Sequence, residues 1–68
     1  MTEQEEDQLR KSLAQVKVEH RDLDAAIRAL EDSAMPDHLQ IKRLKKRKLA
    51  LRDRIQEIQD ILFPDITA

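Results

Sequence analysis

No cysteine and no glycine occur in this chain, and Phe63 is its single aromatic residue. Without cysteine there is no disulfide, no thiolate nucleophile and no zinc–thiolate centre. Without glycine, tight phosphate-cradling loops have no residue to build them. The shortage of aromatics removes the side chains that usually carry much of a small core, and the stacking platforms of single-strand binders. No apolar run approaches the ~20 residues needed to span a bilayer. Thr2 to Asp7 is polar and acidic, the reverse of the basic and then apolar start of a secretory signal. These absences lead us to expect a soluble cytoplasmic protein with no cofactor and no membrane association.

What is present is charge and periodicity. Charged residues make up 40% of the 68-residue chain, a composition shared by disordered segments and by long helices. Sustained heptads decide for helices. The first half carries Leu9, Leu13, Val16, His20, Leu23, Ile27 and Leu30, and the second Ile41, Leu44, Lys48, Leu51, Ile55, Ile58 and Leu62. Both sets alternate steps of three and four, the a/d pattern of a helix with one apolar stripe. Paired so that residue numbers add to 71, they stack as Leu9/Leu62, Leu13/Ile58, Val16/Ile55, His20/Leu51, Leu23/Lys48, Ile27/Leu44 and Leu30/Ile41. The expected fold is therefore all-α, an antiparallel two-helix hairpin forming one domain over residues 1–68.

Local signals place the helices at about 3–32 and 37–63. Thr2 is the expected N-cap of the first, with Glu5 completing a capping box and early acids complementing the helix dipole. The turn falls at 33–37, where Pro36 interrupts the first helix and favours the start of a second. Asp37 with Gln40 offers another capping box. Pro64 stops the second helix and leaves a short tail over 64–68. So brief a connection requires antiparallel neighbours.

Charge is divided between the halves. Residues 1–37 hold ten acids and five bases, a net −5, and residues 38–68 hold eight bases and four acids, a net +4. At the positions flanking the seam, the heptad puts Asp24 opposite Lys45, Glu31 opposite His38 and Glu19 opposite Arg54, with Lys17 against Arg52 as the one repulsion. A lone hairpin of this size has a small core, and no disulfide or metal reinforces it. We therefore expect self-association, most simply a dimer forming a helical bundle. Val18, Leu49, Ile61 and Phe63 lie off the seam and are the expected contacts with a second copy or another protein.

Three groups invite a sharper reading. His20 and Lys48 interrupt adjacent seam layers. We read them as a register-fixing polar insertion, with His20 hydrogen-bonded and the Lys48 ammonium directed outward, in preference to a pH switch. His20 and Asp24 are spaced i, i+4 like two ligands on one helix face, but one histidine with scattered carboxylates is a poor metal site, and none is expected. The basic run holding Lys42, Lys45, Lys46 and Arg47 has the charge of a nucleic-acid footprint without a recognised binding motif. A solvated face, partly paired with acids of the first helix, is the preferred reading, and nucleic-acid association the alternative. Catalysis finds no support. Neither Ser12 nor Ser33 sits in a nucleophile motif, and the carboxylates fall on open helix faces.

Two stretches resemble a known family. Glu19-His20-Arg21-Asp22-Leu23-Asp24, followed by Ile27, resembles the first helix of the YdcH-like small bacterial proteins. Arg43-Leu44-Lys45-Lys46-Arg47-Lys48-Leu49-Ala50-Leu51-Arg52-Asp53-Arg54-Ile55 is similar to that family's leucine-lysine-lysine signature in the second helix. The resemblance covers about residues 16–58. Arg52 stands where a lysine is more usual, and Pro36 makes the turn individual. What the resemblance implies is a two-helix protein of the bacterial cytoplasm, with no agreed biochemical function and no functional residues to transfer.

Overall fold

The computed structural model describes residues 1–64. Two helices account for nearly all of it, α1 over Glu3–Glu31 and α2 over His38–Leu62, and they pack against each other as a hairpin. The expected bounds of 3–32 and 37–63 each run one residue long where they differ, because the flanking residues are caps. Thr2 is extended and its Oγ1 accepts the Glu5 N–H at 3.2 Å. Asp37 is also extended, and its Oδ1 accepts the Gln40 N–H at 3.1 Å. In each box only this bond forms among the described residues, since neither Glu5 nor Gln40 reaches back.

The missing glycine shapes the turn. Helices commonly end on a left-handed residue, usually glycine, yet no residue described here has positive φ. Asp32 instead stays right-handed, donating its N–H to Arg28 O and Leu30 O. Ser33 then tightens the end by donating to Leu30 O at 3.2 Å, and its own Oγ accepts the Met35 N–H at 3.3 Å. Pro36 lies just before the cap of α2 rather than inside its first turn. At the far end Phe63 donates to Gln59 O before Pro64. The rest of the expected tail, 65–68, lies outside the described residues.

The core is thin. Leu13, Ile27, Ile41, Leu51 and Ile58 are buried, Ile58 completely. The nine remaining seam positions, His20 and Lys48 included, are half-buried. The molecule is accordingly a rod, 50 × 24 × 15 Å, with one line of contact and two outer faces.

The charge pairs differ from those expected. Lys48 Nζ lies 2.6 Å from Asp24 Oδ1, and Lys45 Nζ lies 3.3 Å from Glu31 Oε2. Neither Asp24–Lys45, Glu31–His38 nor Glu19–Arg54 forms an ion pair among the described residues. For the first two the cause is the lean of helical side chains toward their own N-terminus. In an antiparallel pair this brings together residues whose numbers add to more than the seam's 71, and 24 with 48 gives 72, 31 with 45 gives 76. Pairs adding to 69, such as Asp24–Lys45 and Glu31–His38, lean apart. Arg54 instead bridges to Glu57 on its own helix at 3.3 Å.

Candidate interaction surface of the second helix

Lys48 occupies a seam position on α2, yet its ammonium does not extend into solvent as expected. It turns to Asp24, where both side chains are about one-third exposed. Asp24 also takes Arg28 Nη2 at 3.2 Å along α1. The Lys48 hydrogen bond holds the Asp24 carboxyl below the ordinary value of 3.8, against the opposing effect of partial burial and with help from Arg28. His20, one turn before Asp24, forms no hydrogen bond to a described protein group, contrary to the sequence expectation. The i, i+4 carboxylate that would complete a metal pair with it is already engaged by two cations.

A groove of about 270 Å³ opens beside this polar layer, lined by His20, Lys45, Lys48, Leu49 and Arg52. A second, of about 310 Å³, lies farther along α2 between Gln56, Gln59, Asp60 and Phe63. Leu49 is 57% exposed and Phe63 39%, so each offers apolar surface to its groove. Arg52 has no carboxylate within 4 Å among the described residues. Asp60 Oδ1 accepts the Gln56 Nε2 proton at 2.9 Å, and its second oxygen has no hydrogen-bond partner among the described residues.

The four expected partner contacts do not share one surface. Val18 is exposed on α1, at a heptad position on the side away from the seam. Ile61, also exposed, is rotated about 160° from Phe63 at 100° per residue. Leu49 and Phe63 alone fall on one side of α2. Leu39 and Met35 are further exposed apolar residues near the turn.

The basic run divides as well. Lys45 is neutralised by Glu31 and Lys48 by Asp24. Lys42, Arg43, Lys46 and Arg47 are exposed and have no ion-pair partner among the described residues. No helix described is long and apolar enough to cross a membrane.

Sequence reasoning did not group Arg52, Gln56 and Asp60 with Leu49 and Phe63 as one surface of α2. The signal was present as a second step pattern of three and four along α2. Its mixture of apolar and polar residues hid it from a search for apolar stripes. Comparison with curated proteins gives no match, and comparison with solved structures gives none. Residues 13–59 match a family described as "Protein of unknown function (DUF465)". That span includes both halves of the seam except its outermost layer, and the chain belongs to the DUF465 family.

Proposed function

We propose that the protein is a non-catalytic helix–helix interaction module of the bacterial cytoplasm, a YdcH-like member of its family, and that it works as a homodimer. The observation carrying this reading is how the apolar residues divide. The seam is spent inside the hairpin, while Leu49 and Phe63 remain exposed beside grooves on α2. Docking along such a face is the helix-in-groove mode of recognition. Burial there would also supplement a core of five buried residues.

Sedimentation equilibrium at micromolar concentration tests it. Twice the monomer mass at low and at molar salt supports apolar association, which salt does not screen. A monomer mass at every concentration and salt overturns the homodimer.

One observation favours a second reading, a nucleic-acid-associated protein. Lys42, Arg43, Lys46 and Arg47 form a cluster over two turns of α2 without ion-pair partners among the described residues. Four phosphate contacts would lower log K with log salt at a slope of about −3.6. A retardation assay at low salt that shows no shift on DNA or RNA removes this reading.

A further inference from the structure

Five side chains on the outer side of α2 fall in one line. At 100° per residue, Leu49, Arg52, Gln56, Asp60 and Phe63 lie within about 80° of the helix circumference. Their steps are three, four, four and three. The line therefore reads the same in both directions about Gln56. A second copy running antiparallel sets Leu49 against Phe63, Arg52 against Asp60 and Gln56 against Gln56. The chemistry matches at every step: apolar on apolar, cation on anion, amide on amide.

The structure leaves these groups available for such a match. Leu49 and Phe63 are exposed. Arg52 has no carboxylate partner among the described residues, and Asp60 is held by Gln56 through only one oxygen. The two grooves lie at opposite ends of the line, one lined by Leu49 and Arg52, the other by Gln56, Asp60 and Phe63. In the antiparallel arrangement each groove receives the other copy's complementary end.

Charge selects the direction. A parallel pairing would lay one run from Lys42 to Lys48 on its copy. The antiparallel one sets the two Lys45 residues eleven positions on either side of the axis, about 33 Å apart. That is several times the ~8–10 Å screening length at ordinary ionic strength.

We propose that two copies associate through α2, antiparallel and about a two-fold axis at Gln56, with Leu49–Phe63 and Arg52–Asp60 contacts formed twice. This rests on the homodimer reading above and gives it a surface, a direction and a register. The partner is a second copy, since the line is complementary to itself; an acidic helix from another protein would satisfy Arg52 but leave Asp60 opposed.

The absence of cysteine makes a register test clean. Gln56→Cys places the only thiol of each chain on the axis, within the Cα separation that a disulfide tolerates. Under mild oxidation this variant is expected to become a covalent dimer, while Arg43→Cys, about 140° away around α2, stays largely free of cross-links. Charge reversal gives the second arm. Arg52→Asp alone and Asp60→Arg alone each create like-charge pairs and weaken dimerisation by about tenfold. Mixed in equal amounts they regain it, because both pairs across the heterodimer are again opposite in sign. Circular dichroism of each variant reports that the hairpin remains folded. A wild-type dimer mass without Gln56→Cys cross-linking, or without recovery on mixing, overturns this register and leaves the interaction module standing. A wild-type monomer overturns this register and the homodimer together.

Discussion

Asp24 and Lys48 join the two helices through a 2.6 Å contact between Oδ1 and Nζ, the shortest ion pair of the molecule among the described residues. The lysine comes from a seam position and the aspartate from the flank beside Leu23. Each side chain leans toward its own helix start, which in a hairpin means toward the other. The pair thereby converts a polar interruption of the seam into a cross-link between α1 and α2.

The pH dependence follows from Asp24. Its carboxyl is held below 3.8, first by the Lys48 hydrogen bond. A depressed folded-state pKa contributes stability above the unfolded value, lost as pH falls through the folded value. Asp24→Asn should therefore melt below the wild type near neutral pH and converge with it in the acid range below 3.8. Thermal melts from neutral pH to about pH 2 read this difference, because the other carboxylates titrate in both proteins. A difference that stays constant across the range would remove Asp24 as its source.

Burial separates two isoleucines three residues apart. Ile58 is fully buried and Ile61 is exposed. Ile58→Ala should cost about 2–5 kcal/mol, a large share of the roughly 3–10 kcal/mol available to a chain of this length. Ile61→Ala should stay within about 0.5 kcal/mol and leave the sedimentation mass as it is in the wild type. Chemical denaturation followed by circular dichroism distinguishes them, and equal losses would contradict the seam.

The two caps carry unequal weight. Asp37 starts α2 inside the connection, so its loss disturbs the step that turns the chain back. Asp37→Ala should cost about 1 kcal/mol, while Asp37→Asn retains the acceptor and most of the stability. Thr2 caps the end of α1 remote from the connection. Thr2→Ala should fray the first turn and leave the main thermal transition in place. Amide exchange at Glu5 and Gln40, the two capped N–H groups, reads each effect locally.

The seam was legible in the sequence because a helix repeats by fixed geometry. Spacings of three and four put Leu13, Ile27, Ile41, Leu51 and Ile58 on the facing stripes, and all five are buried. The cap residues were legible for a similar reason, since Thr2 and Asp37 act through bonds three positions away. The ion pairs were not. A heptad letter records the angle of a side chain around the helix but not its lean along it, and lean decided Asp24–Lys48 over Asp24–Lys45. The grooves on α2 were harder still. Leu49 and Phe63 lie fourteen residues apart with Arg52, Gln56 and Asp60 between them, so no apolar repeat marks their common side.

Lys48→Leu weighs the polar layer against an apolar one. The substitution completes the seam beside Leu23 and adds about 1 kcal/mol of apolar burial at a half-exposed position. Asp24 loses its cross-helix partner but keeps Arg28 at 3.2 Å and remains partly exposed, so no carboxylate is stranded in the core. For a domain of this size the gain corresponds to a rise of roughly 4–8 °C in Tm. Specificity should move the other way. A polar residue at a seam position penalises alternative registers and assemblies in which it would be buried without its partner. Removing it should broaden the distribution of oligomers seen by sedimentation even as the melting temperature climbs. A fall in Tm would show that the Asp24 contact outweighs the apolar gain, and no change would show that the two cancel.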